Sequence, residues 1–162
     1  GLASNWYRKG LPDFLQLASL LPPSIRVVLV GLSKSEQQLA AQAGIIAINR
    51  TDNIQELCAL YSAANVYFYP TWEDTFPTTN LEAMACGTPV VTYKTGGSTE
   101  AITLETGAII EKGDIQTAAI EIGRLCQQPA TTFEDVCRQH IVRYFNKEER
   151  FLEYLNLYAQ YL

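Results

Sequence analysis

The chain has 162 residues, 48% of them hydrophobic, enough for one ordinary domain that buries roughly 70% of its unfolded surface. A net charge of −5 and a pI near 4.9 argue against a nucleic-acid partner. No apolar run approaches the ~20 residues that a bilayer span requires, and four cysteines without a C-x-x-C pair give little support to a zinc site or a disulfide framework.

The opening GLASNWYRKG carries no signal-peptide pattern and no Met; it enters mid-pattern, and an excised fragment is expected. Residues 1–9 read as the end of a strand and a loop. Residues 10–21 place Leu11, Phe14, Leu15, Leu17, Ala18 and Leu21 on a helical stripe that Pro22-Pro23 stops. Residues 25–30 read as a buried strand of the parallel type, 35–43 as a helix ended by Gly44, and 45–48 as a short strand. The loop 49–52 is expected to cap a helix at 54–63, with Leu57, Leu60 and Tyr61 on one face. A strand follows at 66–69. After residue 114 the pattern is helical, at about 114–127, 132–144 and 147–160, with Pro129 breaking the first from the second. Cys58, Cys86, Cys126 and Cys137 are expected to be reduced and to pack as small apolar groups in a cytosolic protein. The single histidine, His140, is expected at the surface or in helix packing.

Between the strand at 66–69 and residue 97 the chain reads YPTWEDTFPTTNLEAMACGTPVVTYKTGG, an order of strand, polar loop, short helix, second strand (90–93) and Gly-Gly turn. Pro77 suits the first turn of that helix; Gly87 suits the left-handed residue beyond its end, and Pro89 cannot continue it. Leu81, Met84 and Ala85 form an apolar stripe toward the sheet, and the small Ala83 and Ala85 allow close packing. A short helix at 98–103 and a strand at 107–110 follow. Alternating strands and helices with short loops predict a Rossmann-like, doubly wound parallel sheet flanked by helices, with a helical carboxy-terminal segment. Ligands of such sheets bind at the carboxyl ends of the strands. The loops around Lys9, at Asn49–Arg50, after Tyr69 and after Tyr93 are all expected on that rim.

The helix start leaves the N–H groups of Thr78, Thr79 and Asn80 without helical acceptors at the positive end of the dipole, a seat for phosphate. Glu82 lies one turn on from Thr78. A carboxylate there repels phosphate but can accept two ribose hydroxyls. The pattern therefore reads as a nucleoside diphosphate seat, with phosphates on the N–H groups and ribose on the glutamate. Lys9, which stands against the dipole at a helix start, either meets a ligand anion or is simply solvated. Gly96 and Gly97 either let backbone come close to the ligand or only turn the chain.

The string D-x(7)-E followed by AMACGTPVV resembles the E-x(7)-E signature of the group-1 (family 4) retaining glycosyltransferases of GT-B architecture. It matches at Asp74, Phe76, Leu81, Glu82, Ala83, Met84, Ala85, Gly87, Pro89 and Val90, and GGSTEAI resembles the family's next segment, with Glu100 opening a short helix. The resemblance implies that residues 1–162 are the donor-binding half of a GT-B fold, without its amino-terminal acceptor domain. It further implies that Glu82 holds the donor ribose, that Asp74 contacts the transferred sugar, and that Lys9 meets the donor diphosphate. Asp74 departs from the family glutamate and is about 1.5 Å shorter in reach; Glu73 is one residue out of register. The family's additional arginine is missing from GLAS, where Ala3 and Ser4 stand, and Arg8 is the substitute candidate. Arg50 falls where the family packs the nucleotide base; its guanidinium stacks on that ring or pairs with Asp52. Glu100 either contacts donor hydroxyls or complements the local helix start.

The aromatic terminal helix (Phe151, Leu152, Tyr154, Leu155, Leu157, Tyr158 and Tyr161) has more apolar surface than a lone domain should expose. The resemblance implies that it reaches back to the amino-terminal domain; ordinary core packing is the other reading. The expected function is sugar transfer from a nucleotide-sugar, UDP- or GDP-linked and without a metal, to an acceptor sugar or lipid-linked acceptor in polysaccharide or glycoconjugate synthesis. The expected location is cytoplasmic, at or near the inner face of a membrane, and the isolated fragment is expected to be inactive. A non-catalytic nucleotide- or phosphate-binding module, or half of a GT-B-type sugar-nucleotide epimerase or phosphorylase, are the alternatives.

Overall fold

A computed structural model describes residues 8–161; all but the last two residues of the strand end and loop expected at 1–9, with Ala3 and Ser4, lie outside them. Seven α-helices and five strands are found among the described residues: α1 (Leu11–Leu20), β1 (Val28–Val30), α2 (Lys34–Gln42), β2 (Ile46–Ile48), α3 (Ile54–Ala63), β3 (Tyr67–Tyr69), α4 (Thr78–Ala85), β4 (Val90–Tyr93), β5 (Gly107–Ile110), α5 (Ile115–Cys126), α6 (Thr131–Tyr144) and α7 (Lys147–Ala159). Every pairing is parallel. The ladder comes in two pieces, β1 with β2 and the three strands β3-β4-β5 in that order.

Side-chain alternation along the strands separates two apolar layers. Phe68, Val91, Tyr93 and Ile110 face α1 and α5, together with Leu29 and the α2 residue Ala40. Tyr67 and Val90 face the other way, onto Tyr61 of α3, Ala83 and Met84 of α4, and Cys137 of α6. Helices thus cover both faces, the expected doubly wound arrangement.

Local chemistry sets the boundaries. Ser33 and Glu36 form a reciprocal capping box at α2. Asn53, not the expected 49–52 loop, caps α3 by accepting from the Glu56 N–H at 2.9 Å. β1 begins three residues later than expected because the Ile25 N–H is used in a turn, donating to the Pro22 carbonyl at 2.9 Å. It is also less buried than a central parallel strand: Val28 and its register partner Ile46 are both exposed. The helix expected at 98–103 is a 3-10 turn at Gly96–Thr99, prolonged by an Ile102 N–H bond to the Thr99 carbonyl.

All four cysteines are free thiols, but only Cys137 is fully buried, and Cys58 is exposed. His140 packs as expected: its Nε2 lies 3.0 Å from the Ala101 carbonyl, tying α6 to the end of the 3-10 turn. The core-packing reading of the terminal helix fails, since no residue of α7 is buried and Phe151, Leu152, Tyr154, Leu155 and Tyr158 are all exposed.

Candidate functional site

Pro77 stands at the N-cap of α4 and supplies no capping side chain. The Asn80 N–H, expected to be open, donates instead to the Pro77 carbonyl at 3.1 Å. The N–H groups of Thr78 and Thr79 find no acceptor among the described residues, so the positive helix end presents two open donors. The Thr79 hydroxyl lies near the Tyr67 phenol without closing a hydrogen bond, and is buried. The inward stripe of α4 differs from the expected one: Asn80, Ala83 and Met84 are buried, and Ala85 is exposed. A polar residue is tolerated there because Asn80 Nδ2 donates to the Ser98 carbonyl at 3.3 Å, fastening α4 to the 3-10 turn.

Glu82 is exposed one turn further on. Tyr61 Oη donates to its Oε2 at 3.2 Å, and Thr78 Oγ1 reaches its Oε1 at 3.5 Å. The carboxylate is thereby held between α3 and the first turn of α4, with lone pairs still facing solvent. Nothing in the sequence pattern singled out Tyr61 for this task.

Asp74 is held from two sides. Tyr69 Oη donates to its Oδ2 at 2.8 Å, and the Phe76 N–H donates to its Oδ1 at 3.2 Å. The shorter acid is therefore turned onto its own loop and the end of β3. Neighbouring Glu73 is exposed, and its backbone carbonyl accepts from Thr71 Oγ1 at 3.0 Å.

The Gly96–Gly97 turn sits directly against this loop. A Cβ on Gly96 would collide with the Asp74 carbonyl oxygen, and one on Gly97 with that of Thr75. The Gly97 N–H donates to the Asp74 carbonyl at 3.3 Å. The close backbone approach expected at these glycines is thus made by the 74–75 loop of the chain itself.

The turn carrying Arg8 and Lys9 joins the same rim. The Arg8 carbonyl accepts from the Trp72 N–H at 2.8 Å, and a Cβ on Gly10 would strike Pro70. Arg50 is exposed beyond β2, where it lines a cavity of about 350 Å³ with Ile48, Thr51, Glu56, Ala59 and Leu60. The cavity's α3 wall is Glu56, Ala59 and Leu60, while Tyr61 of the same helix donates to Glu82. The Arg50–Asp52 pair, one of the two readings of this arginine, is not formed. Among the described residues no carboxylate pairs with Arg8, Lys9 or Arg50, which leaves three cations open on a chain of net charge −5.

Sequence reasoning also missed a buried carboxylate. Asp13 in the first turn of α1 accepts from Trp72 Nε1 at 2.7 Å and from Tyr93 Oη at 3.1 Å. Its one legible signal was its place between Leu11 and Phe14 on the inward side of α1.

Burial pushes the phenols of Tyr61, Tyr69 and Tyr93 up, with further upward pressure from Glu82, Asp74 and Asp13 respectively. Burial also raises the Tyr67 phenol from 10.0 to about 12 and the Cys137 thiol from 9.0 to about 12. These groups stay protonated in the fold at pH values where the unfolded chain releases its protons. Their contribution is fully present below about pH 8 and is lost progressively as pH rises through the ordinary thiol and phenol range toward 12. The urea midpoint is therefore expected to fall between pH 8 and pH 10.5; equal midpoints would contradict this burial.

Comparison with known proteins places this geometry in context. The family described as Glycosyl transferases group 1 matches residues 1–128. D-inositol 3-phosphate glycosyltransferase of Mycobacterium sp. (strain KMS) is 30% identical over 142 residues, covering 80% of this chain and 32% of that protein. The capsular polysaccharide biosynthesis glycosyltransferase CapM of Staphylococcus aureus is 24% identical over 127 residues, covering 72% and 33%. Among solved structures, sucrose-phosphate synthase from Thermosynechococcus elongatus superposes with a TM-score of 0.82 at 29% identity, over 95% of this chain and 42% of that one. Anabaena Alr3699/HepE, solved in complex with UDP, shares the fold with a TM-score of 0.77 at 22% identity, over 93% and 46%. Parallel sheets flanked by helices match these GT-B neighbours. The chain spans about a third of the length of the curated relatives it matches.

Proposed function

The chain belongs to the group-1 glycosyl transferases, and we propose that it is the donor-binding half of a retaining enzyme that moves a sugar from a nucleotide-sugar to an acceptor. The observation that carries this reading is the pairing at α4: two open N–H donors beside a carboxylate held by Tyr61 and Thr78. The donors suit a diphosphate and the carboxylate suits vicinal hydroxyls, so a nucleoside diphosphate satisfies both together. The neighbours solved with UDP and with UDP-glucose support that ligand class.

In this reading Glu82 accepts the ribose hydroxyls, and Lys9 and the α4 end stabilise the departing diphosphate. Asp74 orients the sugar, Arg50 lies against the base, and Arg8 adds charge near the phosphates. No metal is required, because the cation and the helix end carry the leaving-group charge. The acceptor groups belong to an amino-terminal GT-B domain, and α7 packs back onto it. Polysaccharide or glycoconjugate synthesis at the cytoplasmic side of a membrane is the proposed setting; CapM is a relative named for capsular polysaccharide biosynthesis.

Titration of this chain with UDP, GDP and ADP, followed by NMR or calorimetry, tests the seat. Binding of one nucleotide at about 0.1–1 mM is expected, equivalent to roughly −4 to −5.5 kcal/mol, with shifts at Lys9, Thr78, Thr79 and Glu82. If the full-length protein responds to no nucleotide at millimolar concentration, the reading fails.

A further inference from the structure

Asp13 is only 7% exposed and has no cationic partner among the described residues. Its carboxylate is supported by two neutral donors from distant parts of the chain, Trp72 Nε1 at 2.7 Å and Tyr93 Oη at 3.1 Å, and by its place in the first turn of α1. Burying a lone carboxylate is costly, and an apolar residue here would fasten α1 to the sheet without that cost. What an apolar residue cannot do is fix a direction. The short bond to the indole does, because a charge-assisted hydrogen bond is both strong and directional.

The direction matters because of what Trp72 belongs to. Its backbone N–H is held by the Arg8 carbonyl at 2.8 Å while its indole N–H is held by Asp13. The segment 8–13 therefore grips this one residue at main chain and side chain together. Lys112 Nζ stands 5.2 Å from the ring centroid. The side chain is pinned even though 45% of the residue is exposed. Asp74 is two residues on, and Lys9 lies inside the gripping segment.

We propose that Asp13 is a positioning residue that acts through Trp72 to set the register between the Lys9 turn and the Asp74 loop. The inference rests on the donor-seat reading above. It assigns Asp13 the alignment of the transferred sugar relative to the diphosphate, and no share in holding the nucleotide itself.

The test compares affinities of the full-length protein for UDP and UDP-glucose, or GDP and GDP-mannose should GDP be the nucleotide that binds. Asp13→Asn keeps the shape but turns an amide N–H₂ toward one of the two donors. It is expected to weaken sugar-nucleotide binding about tenfold while nucleotide binding changes less than about twofold. Trp72→Phe, which keeps the backbone bond to Arg8 and an aromatic ring but removes the indole donor along with part of the surface under Lys112, gives the same pattern, and the double variant is no worse than either single one. Tyr93→Phe removes the other bond to Asp13, the one made from β4 and not through Trp72; it lowers Tm but leaves the sugar preference intact.

Equal losses for nucleotide and sugar-nucleotide, additive singles, or a Tyr93→Phe variant that also loses the preference would each reduce Asp13 to a structural group and overturn the proposal. So would a wild type with no preference for the sugar-nucleotide. A wild type that binds no nucleotide at all sinks the donor-seat reading and this inference together. If it binds and discriminates normally while Asp13→Asn does the same, only this inference fails.

Discussion

If Glu82 holds the ribose as proposed, Glu82→Gln is expected to lower nucleoside diphosphate affinity by about 1.5–3 kcal/mol, roughly tenfold to 100-fold in Kd. The carboxylate keeps both oxygens available as acceptors, steadied by Tyr61 at 3.2 Å and Thr78 at 3.5 Å. A glutamine keeps one acceptor, places an N–H₂ against either the Tyr61 hydroxyl or the ribose, and removes the charge that makes hydroxyl bonds strong. Because Glu82 is exposed, the fold is hardly affected, and Tm should stay within a degree or two. Tyr61→Phe separates support from contact: it loosens the carboxylate but leaves its charge, so a loss smaller than that of Glu82→Gln is expected. Calorimetric affinities for the two variants that match the wild type within error would remove Glu82 from the site.

The contrast between Glu82 and Asp13 marks what a sequence can and cannot disclose. The place of Glu82 on its helix was legible because the punctuation around it is local: Pro77 before the helix, Thr78 one turn back, Gly87 and Pro89 closing the segment. The helix found, Thr78–Ala85, follows that punctuation, and Gly87 takes a φ of 88° just past its end. Strand β4 was equally plain, being a β-branched and aromatic run (VVTY), and α3 begins and ends where expected. Asp13 was illegible because its partners are 59 and 80 residues away; only tertiary packing makes a first-turn carboxylate an interior group. The same holds for Tyr61 and Tyr69, which read as core aromatics while their hydroxyls serve Glu82 and Asp74. The late start of β1 reflects a competition that local hydrophobicity does not report, since the Ile25 N–H closes a turn before a ladder can claim it. Asn80 broke the expected stripe of α4 because its amide bridges to a turn eighteen residues on. The unpartnered face of α7 was visible, by contrast, since apolar and aromatic residues on several faces of one helix exceed what one sheet can cover.

Gly97→Ala is the substitution expected to damage fold and site together. Gly97 does not occupy the left-handed region, so the added methyl meets no backbone penalty, and its effect is purely one of space. That space is filled by the Thr75 carbonyl oxygen, with Glu100 Oε1 at 3.0 Å from the added Cβ. The glutamate side chain can swing away. The carbonyl cannot move without moving the loop, because the Gly97 N–H is bonded to the Asp74 carbonyl at 3.3 Å and Asp74 itself to Tyr69 at 2.8 Å. Overpacking of this kind costs about 1–3 kcal/mol, and each kcal/mol lowers Tm by roughly 2–4 °C in a chain of this size. Displacing the loop also moves Asp74 and the start of α4, so nucleotide affinity falls with stability. Gly44→Ala is the matched control: Gly44 has a φ of +72° with nothing within 4 Å of the added methyl, so it carries a left-handed penalty of about 1–2 kcal/mol far from the rim. It should lower Tm and leave nucleotide affinity alone. Should Gly97→Ala behave like Gly44→Ala, losing stability but binding normally, the turn at 96–97 serves only to close the chain, and the loop bearing Asp74 does not need it.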